Sequence, residues 1–234
     1  GTHYNGGALS TDGGIYFYPF DTGMNKTIHP ARYGAYPSDS VWYISAGTWP
    51  MDDDELAATA RGDERVKYLS SKISVDTRGS LPRVNLDGLL GKKKRANVGD
   101  GSGFSGAIAK TTDGGKTFLV VHTEDNFYFN AISCANENLC IAAMENEQTG
   151  AGVMTTDGGK TWKQVVTDAG MSMMSAKMVS DKEGWLAGGG AAAHGGMEGH
   201  FWHSTDGGAT WELETLSGNM PIDIAFSPKN NKNA

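Results

Sequence analysis

Short apolar runs alternate with glycine-rich turns along most of this chain. Ser40-Val41-Trp42-Tyr43-Ile44-Ser45-Ala46 is dense in β-branched and aromatic residues and predicts a buried strand. From Phe104 onward the pattern becomes regular. One set of strands is predicted at 130–133, 139–143, 152–155 and 161–166, and a second at 176–179, 185–188, 200–203 and 210–214. Residues 4–20 read as two further strands around a turn, and Ile222-Asp223-Ile224-Ala225-Phe226 as the first strand of another unit. The pattern breaks over residues 50–103. There Asp52 with Glu55 three residues on fits a capping box, so a short helix is predicted over Leu56–Ala60. Lys92-Lys93-Lys94-Arg95 sits in a Gly/Ser-rich stretch and reads as an exposed loop, a basic patch for an acidic partner, or a processing site.

An internal repeat organises these elements. Ser10–Phe17, Thr111–Phe118, Thr155–Trp162 and Ser204–Trp211 align without gaps as Ser/Thr-x-Asp-Gly-Gly-x-x-aromatic. Asp-Gly between strand-like residues is a hairpin turn, because glycine accepts positive φ without steric cost. The Asp carboxylate can accept bonds from N–H groups a few residues on, and the hydroxyl can do the same at the turn entrance. Asp12, Asp113, Asp157 and Asp206 are therefore read as structural. A calcium cage needs more carboxylates than the one in each box. The boxes lie 101, 44 and 49 residues apart. The shorter spacings suit four short strands per unit, the size of a propeller blade. The long one predicts a unit without the motif, so residues 50–103 are taken as a degenerate blade carrying a loop or helix insertion.

The four segments resemble Asp-box (BNR) repeats, the marker of a β-propeller superfamily that includes sialidases, xyloglucan-active hydrolases, the sortilin ectodomain and the photosystem II assembly factors. Met178–Gly189, with its Asp181, Gly184-Trp185 and Gly188, is similar to a strand pair of the assembly-factor-like group. The expectation is one all-β domain over residues 1–234. It would be a propeller of four-stranded blades, with about five blades closed by the two ends sharing one blade, or an incomplete piece of a larger ring. The chain opens Gly1-Thr2-His3-Tyr4, without Met, and is read as processed, trimmed or a fragment.

Composition narrows the function classes. With 27 acidic and 20 basic side chains the net charge is −7, which argues against a nucleic-acid scaffold resting on phosphate neutralisation. No apolar run is long enough for a membrane-spanning helix. Cys134 and Cys140 flank a short loop. They read as a disulfide in an oxidising compartment, or as two thiols; a Cys pair in this blade loop recurs in secreted members of the superfamily that the boxes resemble. His194, His200 and His203 cluster near Glu198, but match no common zinc spacing, so no metal or cofactor is expected. Sialidases hold the substrate carboxylate with an arginine triad, and no arginine follows Arg95 here, so that activity is not expected. A neutral-glycan hydrolase needs only two carboxylates across a groove. Asp52–Glu55, Asp63, Glu64, Glu124, Asp125, Glu145 and Glu147 supply candidates, none singled out as a pair. The expected function is a non-catalytic binding or assembly scaffold outside the cytosol, with a protein or glycan partner. The alternative is a secreted glycoside hydrolase or carbohydrate-binding propeller. Trp42, Trp49, Trp202, His194 and His200 are the candidate ligand-face residues.

Overall fold

The computed structural model describes residues 6–24, 31–49, 103–191 and 196–226. Gly1–Thr48 with Phe104–Ala234 form one compact unit and Trp49–Gly103 another, nearly all of the second lying outside the described residues. The helix expected near Asp52, the Lys92–Arg95 loop and His194 also lie outside them.

Three four-stranded antiparallel sheets follow one another in the first unit. The first contains β3 (Ala31–Ala35), β4 (Trp42–Thr48), β5 (Ser105–Thr111) and β6 (Leu119–Glu124). The second contains β7 (Tyr128–Cys134), β8 (Cys140–Glu145), β9 (Thr149–Thr155) and β10 (Lys163–Ala169). The third contains β11 (Ser172–Met178), β12 (Gly184–Ala191), β13 (Met197–Ser204) and β14 (Glu212–Ser217). Strand order equals chain order in each, which is the up-and-down blade of a propeller. A two-stranded sheet, β1 (Gly6–Leu9) and β2 (Tyr18–Asp21), precedes them. Its Asp-box lies between its two strands, as the other boxes lie between the third and fourth strands of theirs, so β1 and β2 are the outer half of a blade. The described architecture is an incomplete propeller.

The long interval between the first two boxes has a different cause from the one expected. Strands β4 and β5 pair directly, Thr48 against Ser105, so residues 49–104 depart from and return to a single blade between its second and third strands. The segment Ile222–Phe226 is also not a regular strand. It nevertheless runs beside β11, where the Ile224 N–H donates to Ser175 Oγ at 3.2 Å.

The core lies between blades rather than inside any one of them. Ile44, Ala46, Ala107 and Ala109 pack with Phe20 of the half-blade. Tyr43 and Ile108 of the first complete blade meet Phe129, Ala142 and Val153 of the second. Ile141, Ala143 and Met154 of the second meet Met173, Ala176 and Leu186 of the third. Strands β4 and β8 are buried along nearly their whole length because both of their faces are covered. Their small residues let neighbouring sheets approach. A Cβ at Gly150 would stand 2.7 Å from the backbone of Ser172 and Met173 in the next blade. Gly150→Ala must push two sheets apart and is expected to destabilise the protein by about 1–3 kcal/mol. An unchanged urea midpoint would show that the blades are not in such close contact.

Candidate functional site

The boxes form one end of the molecule. In the second, Thr111 Oγ1 donates to Asp113 Oδ1 at 2.7 Å and accepts the Gly115 N–H at 3.0 Å. Asp113 Oδ1 also accepts the Lys116 and Thr117 N–H groups, and Oδ2 accepts the Thr117 hydroxyl at 2.6 Å. Asp157 with Thr155 and Thr161, and Asp206 with Ser204 and Thr210, repeat this network. Asp12 takes bonds from Ser10, Ile15 and Tyr16. The threonine four residues after Asp recurs in three boxes, a signal in the sequence that the motif as read above leaves out.

Each complete blade then uses its box as a pin. The N–H of the first box glycine donates to the turn between strands one and two: Gly114 to Ser40 at 3.0 Å, Gly158 to Asn138 at 3.0 Å and Gly207 to Lys182 at 2.8 Å. The preceding blade adds a second hold on the second one, where Lys110 Nζ donates to Gly158 O and the Tyr43 hydroxyl to Glu137 O, each at 2.8 Å. Burial, with the negative charges of Glu137 and Asp157, pushes the Tyr43 phenol up to about 12.

Cys134 and Cys140 are a cross-strand pair joined by a disulfide at this same end. Removing it with Cys134→Ser/Cys140→Ser reopens a short loop and is expected to cost about 2 kcal/mol. Intact masses of the unmodified protein with and without reductant should differ by about two hydrogen atoms at this one bridge; identical masses would remove it.

Between the first strands of the three blades lies one cavity of about 610 Å³, lined by Tyr33 and Gly34, residues 130–133 and residues 174–177, with Ile222–Phe226 on its remaining side. It occupies the place of a propeller's central channel. Each inner strand carries a bulge at the same point, between Ala31 and Tyr33, Phe129 and Ala131, and Met173 and Ser175. A bulge re-aims the extra residue. Those residues are Arg32, Asn130 and Met174, and each of the first two engages the next blade. The Arg32 guanidinium lies 5.1 Å from the Tyr128 ring centroid, and Asn130 Nδ2 donates to Met173 O at 3.1 Å. Ser175 Oγ donates to Asp223 Oδ1 at 3.1 Å. Beside Asn130, the Tyr128 hydroxyl donates to Glu145 Oε1, while the buried Glu145 Oε2 has no partner among the described residues. Burial, and then the bond to Glu145, raises the Tyr128 pKa.

The candidate ligand-face residues scatter. Trp42 is 5% exposed, wedged between Phe20 and Tyr36, which corrects the expectation that it faces a ligand. His200 is buried as well, its Nδ1 2.7 Å from Asp168 Oδ2, which also accepts the Trp202 indole N–H at 2.9 Å. These two residues tie β13 to β10 of the blade before, instead of facing solvent. His203 points to the opposite face of the strand and stacks on Trp185 with centroids 3.8 Å apart. Trp49 is half-exposed. Among the described residues no group of three or more His, Cys, Asp or Glu is placed to hold a metal, and no helix is long and apolar enough to cross a membrane.

Charge is segregated between the two ends. Lys110, Lys116, Lys160, Lys163, Lys177 and Lys182 all lie towards the box end, set there by their places at strand ends and turns. At the opposite end of the strands Arg32 is the one Lys or Arg among the described residues, while Lys177 lines the cavity.

The strand order and the four boxes together define an Asp-box β-propeller. The BNR/Asp-box repeat family matches residues 153–164 and 202–213, the third and fourth boxes. Curated protein sequences give no match. Similar solved structures include YCF48 bound to D1 peptide, 13% identical over 78% of this chain and 39% of that chain, with a TM-score of 0.40. YCF48 from Cyanidioschyzon merolae is 13% identical over 47% of this chain and 36% of that one, with a TM-score of 0.31. The GH74 enzyme of Niastella koreensis is 13% identical over 90% and 34%, with a TM-score of 0.39. The chain thus spans well under two thirds of each of these proteins.

The box network has a pH signature. In Asp113 burial opposes ionisation, but the Thr117 hydroxyl and N–H, Thr111 and the Lys116 N–H outweigh it and hold the carboxyl at about 2. Thr161 holds Asp157, and Thr210 holds Asp206, at about 2 in the same way. Because these groups ionise more readily in the fold than in the unfolded chain, their contribution is complete above about pH 5 and is lost as the pH falls towards 2. Asp157→Asn is expected to lower the Tm at neutral pH and to flatten the fall of Tm with acid. A parallel, undiminished fall would place the acid sensitivity elsewhere.

Proposed function

We propose that this protein is a non-catalytic binding or assembly scaffold that docks a protein segment over the cavity between the inner strands of the propeller. The observation that carries this reading is how the cavity wall is built. Asn130 joins its blade to Met173 of the next, and Ser175 holds Asp223 of the segment that closes the last side, which makes a rigid concave surface. Loops fixed by such a scaffold are suited to recognition. Of the three tryptophans considered as sugar platforms, Trp42 is buried and Trp202 is held by Asp168. The disulfide supports work outside the reducing cytosol.

Two assays on the full chain test the reading. No reducing sugar should be released from xyloglucan or related polymers; turnover with pure protein would move the assignment to the hydrolase. On a peptide array the chain should retain a subset of sequences. Ile222→Asp, at an exposed wall position, should weaken that capture severalfold while leaving the Tm unchanged. An array without retained peptides would count against the scaffold.

A further inference from the structure

We infer that copies of this chain join head to tail, the first Asp-box hairpin of one copy seating on the open flank of the third blade of another, with Phe17 against Trp185 and His203. The inference goes beyond the scaffold reading and does not depend on it. Two observations carry it, one on each side of the contact.

The first is how the seams inside the molecule are made. Tyr43 pairs with Lys110, Ile141 with Met154 and Trp185 with His203, the second member of each pair standing one residue before its box. In the first two complete blades that pair receives the box of the next blade. Trp162 stands edge-on to Tyr43 at 6.4 Å, and Lys110 Nζ reaches Gly158 O at 2.8 Å. Trp211 packs with Ile141 and Met154, and Gly208 lies against the Met154 sulfur. In the third blade the pair is aromatic, its rings stacked 3.8 Å apart, with Phe226 beside Trp185. It faces away from the second blade, since Leu186 and Trp202, which alternate with it along the strands, pack on that side. Among the described residues no box glycine lies against it.

The second is the first box itself. Phe17 holds the position of Phe118, Trp162 and Trp211, each of which packs against the blade before it. Phe17 is instead 63% exposed, and among the described residues a Cβ at Gly14 would meet only Phe17. Ile15 and Tyr16 stand where the other boxes carry Lys116-Thr117, Lys160-Thr161 and Ala209-Thr210. The exchange gives up the threonine hydroxyl that donates to the aspartate Oδ2 in those boxes, and it leaves Ile15 73% exposed. Ile15, Tyr16, Phe17 and Tyr18 thus form a contiguous exposed apolar run, the kind of patch that marks an interaction site. The seams name its counterpart. A box aromatic is received by a strand-two and strand-three pair in the preceding blade, and the third blade offers one more such pair. The hairpin is also the outer half of a blade, while Ile222–Phe226 runs beside β11 on the inner side of the same flank. Two different surfaces meet in this contact, so it is heterologous and extends beyond two copies unless its rotation closes a ring.

Light scattering of the full chain over roughly 1–100 μM should give a mass above that of one chain, rising with concentration. Tyr16→Thr/Phe17→Ser places polar residues at two exposed positions, and should weaken the association roughly tenfold without lowering the Tm. Trp185→Ala should weaken it from the other side. Should that variant unfold, Phe226→Asp, at an exposed position beside Trp185, takes its place. Each variant keeps one intact side, so mixing the hairpin variant with the flank variant should restore the mass of two chains and nothing larger. A single-chain mass at every concentration, association that survives the hairpin variant, or no recovery on mixing would overturn the inference. Closure of the hairpin onto the third blade of its own chain, or a flank that takes only a different protein, leaves the single-chain mass and overturns it as well.

Discussion

The N–H of the first box glycine ties the two hairpins of a complete blade together. Every box is a closed turn by itself, because the Asp, its hydroxyl partner and the following N–H groups satisfy one another. Gly114, Gly158 and Gly207 have φ of 69°, 76° and 78°, which turns their N–H groups outward. In the three complete blades that donor reaches the turn between strands one and two, so both hairpins of a blade are tied at their tips. The first box keeps its internal bonds, while among the described residues nothing lies within 4 Å of a Cβ at Gly13, and Ile15, Tyr16, Phe17 and Tyr18 are all exposed. The box makes the turn, and the carbonyl from the other hairpin makes the blade.

The second box glycine explains why the motif needs two. At Gly159 a Cβ would stand 3.3 Å from the Tyr43 ring, and at Gly208 2.2 Å from Met154 Sδ, both on the preceding blade. The turn is therefore also a surface pressed against its neighbour. Between blades the same logic continues through alanine and glycine on the inner strands, since sheets that carry small residues can stack closely over a shared core. The bulges at Arg32, Asn130 and Met174 belong to this packing. They free one residue per inner strand from the ladder, and Arg32 and Asn130 engage the next blade.

The framework was legible from the chain because it is local. Asp113, Asp157 and Asp206 each meet partners within four residues, so spacing and residue type reveal them. The buried strand at Trp42–Thr48 was legible for the same reason. The end opposite the boxes was far less so. Asp168 and His200 are 32 residues apart, and nothing in either local context announces the other. Glu145 was one acid among many until the register placed it opposite Tyr128. The insertion misled by length alone. A 101-residue interval fits two blades as well as one blade with a segment let in between adjacent strands, and only the pairing of Thr48 with Ser105 separates them. Trp42 misled by type, since an aromatic that covers the box turn of its own blade and one that stacks on a ligand look alike in sequence.

The Asp168, His200 and Trp202 cluster shows how the two ends divide their work. Asp168 lies on the outermost strand of one blade and receives the Trp202 indole from the third strand of the next, with His200 of that strand against the same oxygen. A buried carboxylate fixed by two ring nitrogens has little freedom to turn. At the box end neighbouring blades are held through backbone carbonyls, by Lys110 and Tyr43. At the opposite end they are held through side chains, by this carboxylate and by Asn130. Blades fastened at both ends cannot splay, and so the loops they carry keep their spacing. Fixed spacing is what lets a surface of loops favour one partner geometry over another, because a flexible array would adapt to any chain offered to it.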